Sequence, residues 1–355
     1  MLHRRGTASI STRTLIDHVH SIGRQAREVQ ENISRETLEA SHISWDSALP
    51  AAGDSLPGNV VLPAEKDDVQ AKQAVMQLMA DYNSGKPERE QIDAAVHASE
   101  VERSSDDCVY ISIDDVGVKH QKVHRKAEKE EKTAYVENTV VHVQNAGRSY
   151  IITDIGMFKA MRQLLAFLLR NGLLKGKRLI FLSDGAQNIR IALERYFAFY
   201  PYRLYLDWYH LEKRMTELLS LALRGDKEAR HRIRTELDRI LWAGNIGAAM
   251  QYLKEIAPEN IKNQKRLDEA VEYLERKSPY IYCYAIRAML KYRNSSNPAE
   301  KANDLIVAQR QKHNGMSWSF KGSGALALLS ALIKNKESDS WITRNQIAFT
   351  FAQGS

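Results

Sequence analysis

The sequence predicts a mixed α/β fold, a sheet flanked by helices, with one long all-helical segment and a mostly helical N-terminal region. Three observations carry this reading. Three strand-like runs follow one another at about 109–115, 134–144 and 148–153. From 156 to 207 helix and strand then alternate, and from 208 to 292 the apolar periodicity is almost entirely helical. Sequential strands followed by alternation give a mixed sheet with helices on its faces.

Each element has a local reason. Ser11-Thr12 starts a helix carrying Leu15, Ile16, Val19 and Ile22; Gly23 reads as its stop, with a second helix to follow, the spacing of a loose helix-turn-helix. Pro50, Gly53, Pro57, Gly58 and Pro63 mark 41–66 as a linker, and a helix at about 66–84 ends at Gly85-Lys86-Pro87. The basic stretch 119–132 reads as an exposed hairpin loop, and Asn145-Ala146-Gly147 as a tight turn. A helix at 156–170 stops at Asn171-Gly172. A buried strand at 177–183, a helix at 186–198 and a strand at 202–207 complete the alternation. Gly225, Gly244 and Pro258 interrupt the helical segment, and a last helical region begins at Asn297. The expected divisions are a helical, DNA-binding N-terminal region with linker (1–107), the first part of a core (108–207), the all-helical segment (208–293), and the last part of the core with a C-terminal tail (294–355).

With 43% hydrophobic and 27% charged residues, the 355-residue chain has an ordinary globular composition. No apolar run approaches the ~20 residues that cross a bilayer, and no apolar signal core opens the chain. Cys108 and Cys283 have no partner at zinc-ligand spacing, and two lone thiols suit a cytoplasmic protein. Net charge is +7, which favours a polyanionic partner. Residues 287–321 carry seven Lys/Arg against Glu300 and Asp304, and residues 1–27 carry five Arg against Asp17.

Three carboxylates stand where chemistry is expected. Asp114 follows Tyr110-Ile111-Ser112-Ile113, and Asp184 follows Leu179-Ile180-Phe181-Leu182-Ser183. Strand-end aspartates lie at the carboxyl edge of a sheet, where ligands of α/β folds bind. Asp115 competes with Asp114 but points to the opposite face, so only one of the pair ligates. Glu300 sits in the first turn of a helix; Asn297, Pro298 and Glu300 also fit a capping box with Asn297 as N-cap. Converging carboxylates of this kind suit Mg2+ or Mn2+, and a pair of ions ~4 Å apart suits phosphoryl transfer. Asp207-Trp208-Tyr209-His210 directly follows a strand and adds a carboxylate and an imidazole three residues apart.

These residues match a known pattern. Ser112-Ile113-Asp114, Ser183-Asp184-Gly185-Ala186, the Asp207-x-x-His210 motif and the run from Glu300 through Arg310 to Gly315-Met316-Ser317-Trp318-Ser319 resemble the DDE transposases of bacterial insertion sequences, in the broad Mutator-like group. The resemblance spans about 108–335. It implies a ribonuclease H-like core with a helical insertion before the glutamate helix, which 208–292 matches. It implies metal binding by Asp114, Asp184 and Glu300, with Asp207 and His210 in support, and it favours Asp114 over Asp115. It also implies DNA as partner (transposon ends and target), at least a dimer on DNA, two Mg2+ or Mn2+ ions, and cleavage followed by strand transfer in a bacterial cytoplasm at the nucleoid. Lys301, Arg310 and Lys312 are the candidate phosphate contacts. Trp318 is a candidate to stack on a base or, alternatively, a core residue. The chain departs from the pattern in three places: Asn294-Ser295-Ser296-Asn297-Pro298 stands where related sequences have a Gly-Ser-Gly-type stretch, Asp115 where Gly is common, and the N-terminal region is short. A structure-selective nuclease or resolvase on the same fold, and a transposase-derived DNA-binding protein without activity, are the alternative readings.

Overall fold

A computed structural model describes residues 10–49, 69–97, 107–121, 134–312 and 316–352. The basic stretch expected as a hairpin loop falls almost wholly outside these residues, as does most of the linker.

Strands β1 (Cys108–Lys119), β2 (Tyr135–Asn145) and β3 (Arg148–Ile155) form an antiparallel meander, turning between β2 and β3 at Ala146-Gly147. Strand β4 (Arg178–Ser183) pairs in parallel with β1, and β5 (Tyr202–Leu206) with β4. The sheet order is β3-β2-β1-β4-β5. Alternation along β1 sorts its side chains. Val109, Ile111 and Ile113 enter the large core beneath α4 (Met157–Arg170) and α5 (Gln187–Phe197). Val116 and Val118 face the other way, onto residues 302–307 and α13 (Phe320–Lys334).

The N-terminal helix α1 is continuous over Thr12–Ala40, with Ser11 capping it through Thr14 N–H. Gly23 does not end it. A Cβ there would meet the Cβ of Ala325 at 2.5 Å, so the missing side chain lets α1 lie against α13. The expected helix-turn-helix is therefore absent from the described residues, because tertiary contact uses the glycine that composition marks as a break. Helix α2 (Val69–Asn83) and the short α3 (Ala94–His97) come next in the chain; Val75, Met79 and Ile92 pack on the far side of the helical segment, against Ala243, Cys283 and Ile286.

That segment comprises α6 (Trp208–Ala222), α7 (Lys227–Trp242), α8 (Ile246–Lys254), α9 (Gln264–Lys277) and α10 (Tyr284–Met289). The interruptions at Gly225, Gly244 and Pro258 fall in its loops. Asp207, Asp226, Asn245 and Asn263 each cap the helix that follows by accepting a backbone N–H. The helices share their own core of Leu211, Met215, Leu237, Ile240, Leu267 and Leu274. Tyr284 anchors that core to the sheet by donating its hydroxyl to the Leu206 carbonyl at 2.9 Å. The chain returns through α11 (Asn297–Asn303), a π-helical turn (Asp304–Ala308) and α12 (Gln309–Gln311) to α13 and α14 (Ser338–Arg344). Among the described residues, no helix is long and apolar enough to cross a membrane.

Candidate metal centre

Asp114 is not at a strand end, as expected, but inside β1. Pairing with β2 runs on from Asp114↔Val140 to Lys119↔Tyr135, whereas the ladder with β4 stops at Ser112↔Leu182. Asp114 therefore lies just beyond its parallel neighbour, level with Asp184, two residues after Leu182. Adjacent strands are ~4.8 Å apart, so the two aspartates share one edge of the sheet. Asp115 is turned to the other face, where Thr139 Oγ1 (2.6 Å) and Asn188 Nδ2 (2.8 Å) donate to it. Asp184 is exposed and opens the turn into α5: its Oδ1 accepts from Ala186 N–H at 2.8 Å. The next residue, Gly185, has φ +72°, the left-handed conformation that the turn requires.

Asp207 is fully buried and joins three elements. Its N–H donates to the Ser183 carbonyl at the end of β4 (2.8 Å), and Oδ1 accepts from His210 N–H (3.0 Å) at the start of α6. Oδ2 accepts from both the N–H and the hydroxyl of Ser296, the hydroxyl at 2.9 Å. Burial alone would raise this carboxyl. The neighbouring His210 and the N–H donors of Ser296 and His210 outweigh it, and the net direction is down.

One turn into α6, His210 Nδ1 lies 3.3 Å from Asp207 Oδ1 and 3.8 Å from Glu300 Oε1. The Asp207 carboxylate raises the imidazole above its ordinary pKa against the opposing effect of burial, and the charges of Glu300 and Asp184 add to the rise. Nδ1 is nevertheless buried without a well-aligned hydrogen bond.

Glu300 is in the first turn of α11, but the capping box is not formed. The helix begins one residue early, Ser296 occupies the N-cap position, and the Ser296 hydroxyl is 3.4 Å from Glu300 Oε1. Glu300 Oε1 lies between the Ser296 hydroxyl and His210 Nδ1. Burial raises Glu300; His210 opposes the rise, while Asp207 and Asp114 add to it. Asp114 is likewise raised, first by burial and further by Asp184, although a hydrogen bond from Asn303 opposes this.

The approach to α11 lacks the glycines of the family pattern, and hydrogen bonds fix it instead. Trp208 N–H donates to the Asn294 carbonyl (3.0 Å), and Asn294 Nδ2 to the Tyr284 carbonyl (2.8 Å). The buried Arg287 stacks 3.8 Å over the Tyr205 ring and donates to Asn294 Oδ1 (3.1 Å) and to the Arg293 carbonyl (2.6 Å). These contacts and Ser296 hold Glu300 beside the Asp207–His210 turn.

Among the described residues, the ligand atoms of Asp207, His210 and Glu300 all lie within 4.8 Å of one another, a grouping able to hold a metal ion. Asp114 and Asp184 are not in this tight group but couple electrostatically to it. On the opposite side of α11, Lys301 lines an open groove of about 600 Å³ with His142, Ser149, Arg293 and Asn297. His142 is pushed down to about 4 there, by burial and then by Arg293. Arg310 and Lys312 are exposed farther along. Trp318 extends the end of β1 by a backbone bridge to His120; its indole packs on the Val116–Val118 cluster and donates to the Gln311 carbonyl at 3.1 Å.

Of Ser296, Arg287, Asn294 and Asn303, none is given a site role by the sequence: Asn294 and Ser296 stand out there only in the 294–298 departure, and Arg287 only as one of the cationic residues. Helical spacing gives a signal for two of them, since Ser296 precedes Glu300 by four residues and Asn303 follows it by three.

No protein-family model matches the chain, and no curated protein matches it. Among solved structures, the Drosophila P element transposase strand transfer complex aligns over 98% of this chain and 83% of that chain, at 11% identity. The TM-score is 0.21, too low to carry an argument about fold or activity.

Proposed function

We propose that the protein is a DDE-type transposase that cleaves DNA at insertion-sequence ends and joins the freed strand to target DNA. The observation that carries this reading is the convergence of Glu300, Asp207 and His210 within 4.8 Å, beside Asp114 on β1 and Asp184 just past the end of β4. The strand order, with the meander first and a helical insertion before the glutamate helix, agrees with the ribonuclease H-like core that the resemblance implies. The donor set fits a divalent cation: it is oxygen-rich and crowded with like charge, and it includes a buried imidazole nitrogen without an aligned partner. Asp114, Asp184 and Glu300 would hold Mg2+ or Mn2+, in one or two positions, and His210 adds a nitrogen that Mn2+ accepts more readily than Mg2+. Such a cation supplies Lewis acidity and charge neutralisation at a phosphodiester.

The chain's own residues do the rest. Asp207 fixes His210 and the start of α11, so that Glu300 faces the aspartates across the sheet edge. Lys301 and Arg293 in the groove, with Arg310 and Lys312 farther along, provide positive charge for DNA phosphates. The excess cationic charge at 287–321 supports a DNA contact along this part of the chain.

The test is incubation with Mg2+ and DNA bearing the flanking terminal sequences of the gene. The expected result is nicking followed by strand-transfer products, both lost in Asp184→Asn. Cleavage without joining would identify a structure-selective nuclease instead. DNA binding without cleavage would identify an inactive transposase derivative. Activity that survives Asp184→Asn would overturn the site.

A further inference from the structure

We infer that Asn303 is a positioning residue of the metal centre, which orients the Asp114 carboxylate that would hold the cation. This rests on the function proposed above. Asn303 is 4% exposed, on the last turn of α11, one turn beyond Glu300 on the same helix face. Its Nδ2 donates to Asp114 Oδ2 at 2.6 Å, a short bond to an ionised acceptor. An ionised carboxylate only accepts, so the amide must turn its nitrogen toward Asp114. That bond, with a backbone N–H from Asp115, orients the Asp114 carboxylate and leaves it acceptor positions for a ligand.

Two further observations point the same way. The amide's other end, Asn303 Oδ1, is buried without a hydrogen-bond partner. Buried amide oxygens are rarely left so, and this one is part of a side chain already committed to the site. The helix also changes character directly after Asn303: residues Asp304–Ala308 form a π-helical turn. Such turns are uncommon and recur at functional sites, because the wider turn shifts the register of the side chains around it. Here the regular part of α11 ends with Glu300 and Asn303 both directed at β1 and α6, while the π turn sends Ile306 and Val307 into the core against Val116 and Val140. A purely structural asparagine would be expected to satisfy both ends of its amide, as Asn335 does by donating to the Ile151 carbonyl (2.8 Å) and accepting from Ile151 N–H (2.9 Å).

The test uses the full chain, with Asn303→Ala and the similarly sized Asn303→Leu beside wild type. Mn2+ binding is measured calorimetrically without DNA, and the Mg2+ concentration for half-maximal nicking is measured separately. Both variants are expected to bind Mn2+ about 10–100-fold more weakly and to need correspondingly more Mg2+. Their DNA affinity in EDTA should match wild type, which a general loss of structure would not leave unchanged. Wild-type Mn2+ binding with both variants within twofold of it would overturn this inference alone. A wild-type protein that takes up no Mn2+ would overturn the proposed function and this inference together. If Asn303→Ala does not fold, Asn303→Leu decides.

Discussion

Two polar clusters lie against the same sheet and are built on opposite terms. At the β3 edge, Asp154 accepts from Arg27 (2.7 Å), Gln163 (2.7 Å) and its neighbour Ile155 N–H (2.7 Å), and Gln163 in turn accepts from Gln30 (2.9 Å). Both Asp154 oxygens and the Gln163 oxygen have protein partners, including a cation. At the β1–β4 edge, among the described residues, Asp114, Asp184, Asp207 and Glu300 form no ion pair with Lys or Arg, although Lys277 donates to the neighbouring Gly185 carbonyl, and His210 Nδ1 and Asn303 Oδ1 lack aligned partners. Burial lifts both Asp154 and Asp114 above the ordinary carboxylate range, so protonation does not separate the two clusters. Partners do. A cluster completed by the chain serves the fold, and one left incomplete carries a strain that a ligand relieves.

The largest expected effect falls on the completed cluster. Arg27→Met removes the cation from a nearly buried pair and joins α1 less firmly to β3; a loss of about 3 kcal/mol in urea unfolding at pH 7 is expected. A loss below about 0.5 kcal/mol would mean the pair is incidental. The incomplete cluster should respond with the opposite sign. Asp114→Asn removes a charge that the folded state holds at a disadvantage, so the cation-free protein should gain about 0.5–2 kcal/mol while nicking is lost. Destabilisation of the size seen for Arg27→Met would erase the contrast.

The smallest effect is a pH dependence. Asp114 and Glu300 are raised above 3.8 and 4.5 in the folded state, so the protons they take up on acidification stabilise it, and this stabilisation is lost as pH rises through their folded values. His210, raised above 6.5, contributes stability that is complete below 6.5 and disappears as pH rises through its folded value. Asp207 is depressed below 3.8 and works against the others only in strongly acidic solution, near and below that value. These site groups therefore contribute more stability at pH 5.5 than at pH 8, opposite in sign to His142, and Glu300→Gln should lower the urea midpoint at pH 5.5 relative to that at pH 8. A midpoint difference unchanged by that substitution would separate the pH response from the site.

Much of the fold was legible because local signals and packing agree. Gly225-Asp226 and Gly244-Asn245 each pair a break with a cap for the next helix, so the helical segment divides where its composition changes. Gly23 misled because its role is a contact with Ala325, 302 residues away in sequence, that no local pattern records. The carboxylates were legible by their place after strand-like runs. Their geometry was not: the extent of β1 depends on pairing with Tyr135–Val140, and the aim of Glu300 depends on Ser296, which gives its hydroxyl to Asp207 instead of to a helix cap. Asn303 looked like an ordinary helix residue until its partner, 189 positions upstream, was in place.

The central claim is that the β1–β4 cluster is incomplete because it is built for a divalent cation. Thermal unfolding with and without Mn2+, for wild type and for the double variant Asp184→Asn/Glu300→Gln, tests it most directly. With the ion at about a hundred times its dissociation constant, wild type should gain close to 3 kcal/mol and a higher midpoint, while the double variant gains almost nothing. An equal shift in both proteins, or none in wild type, would contradict the account.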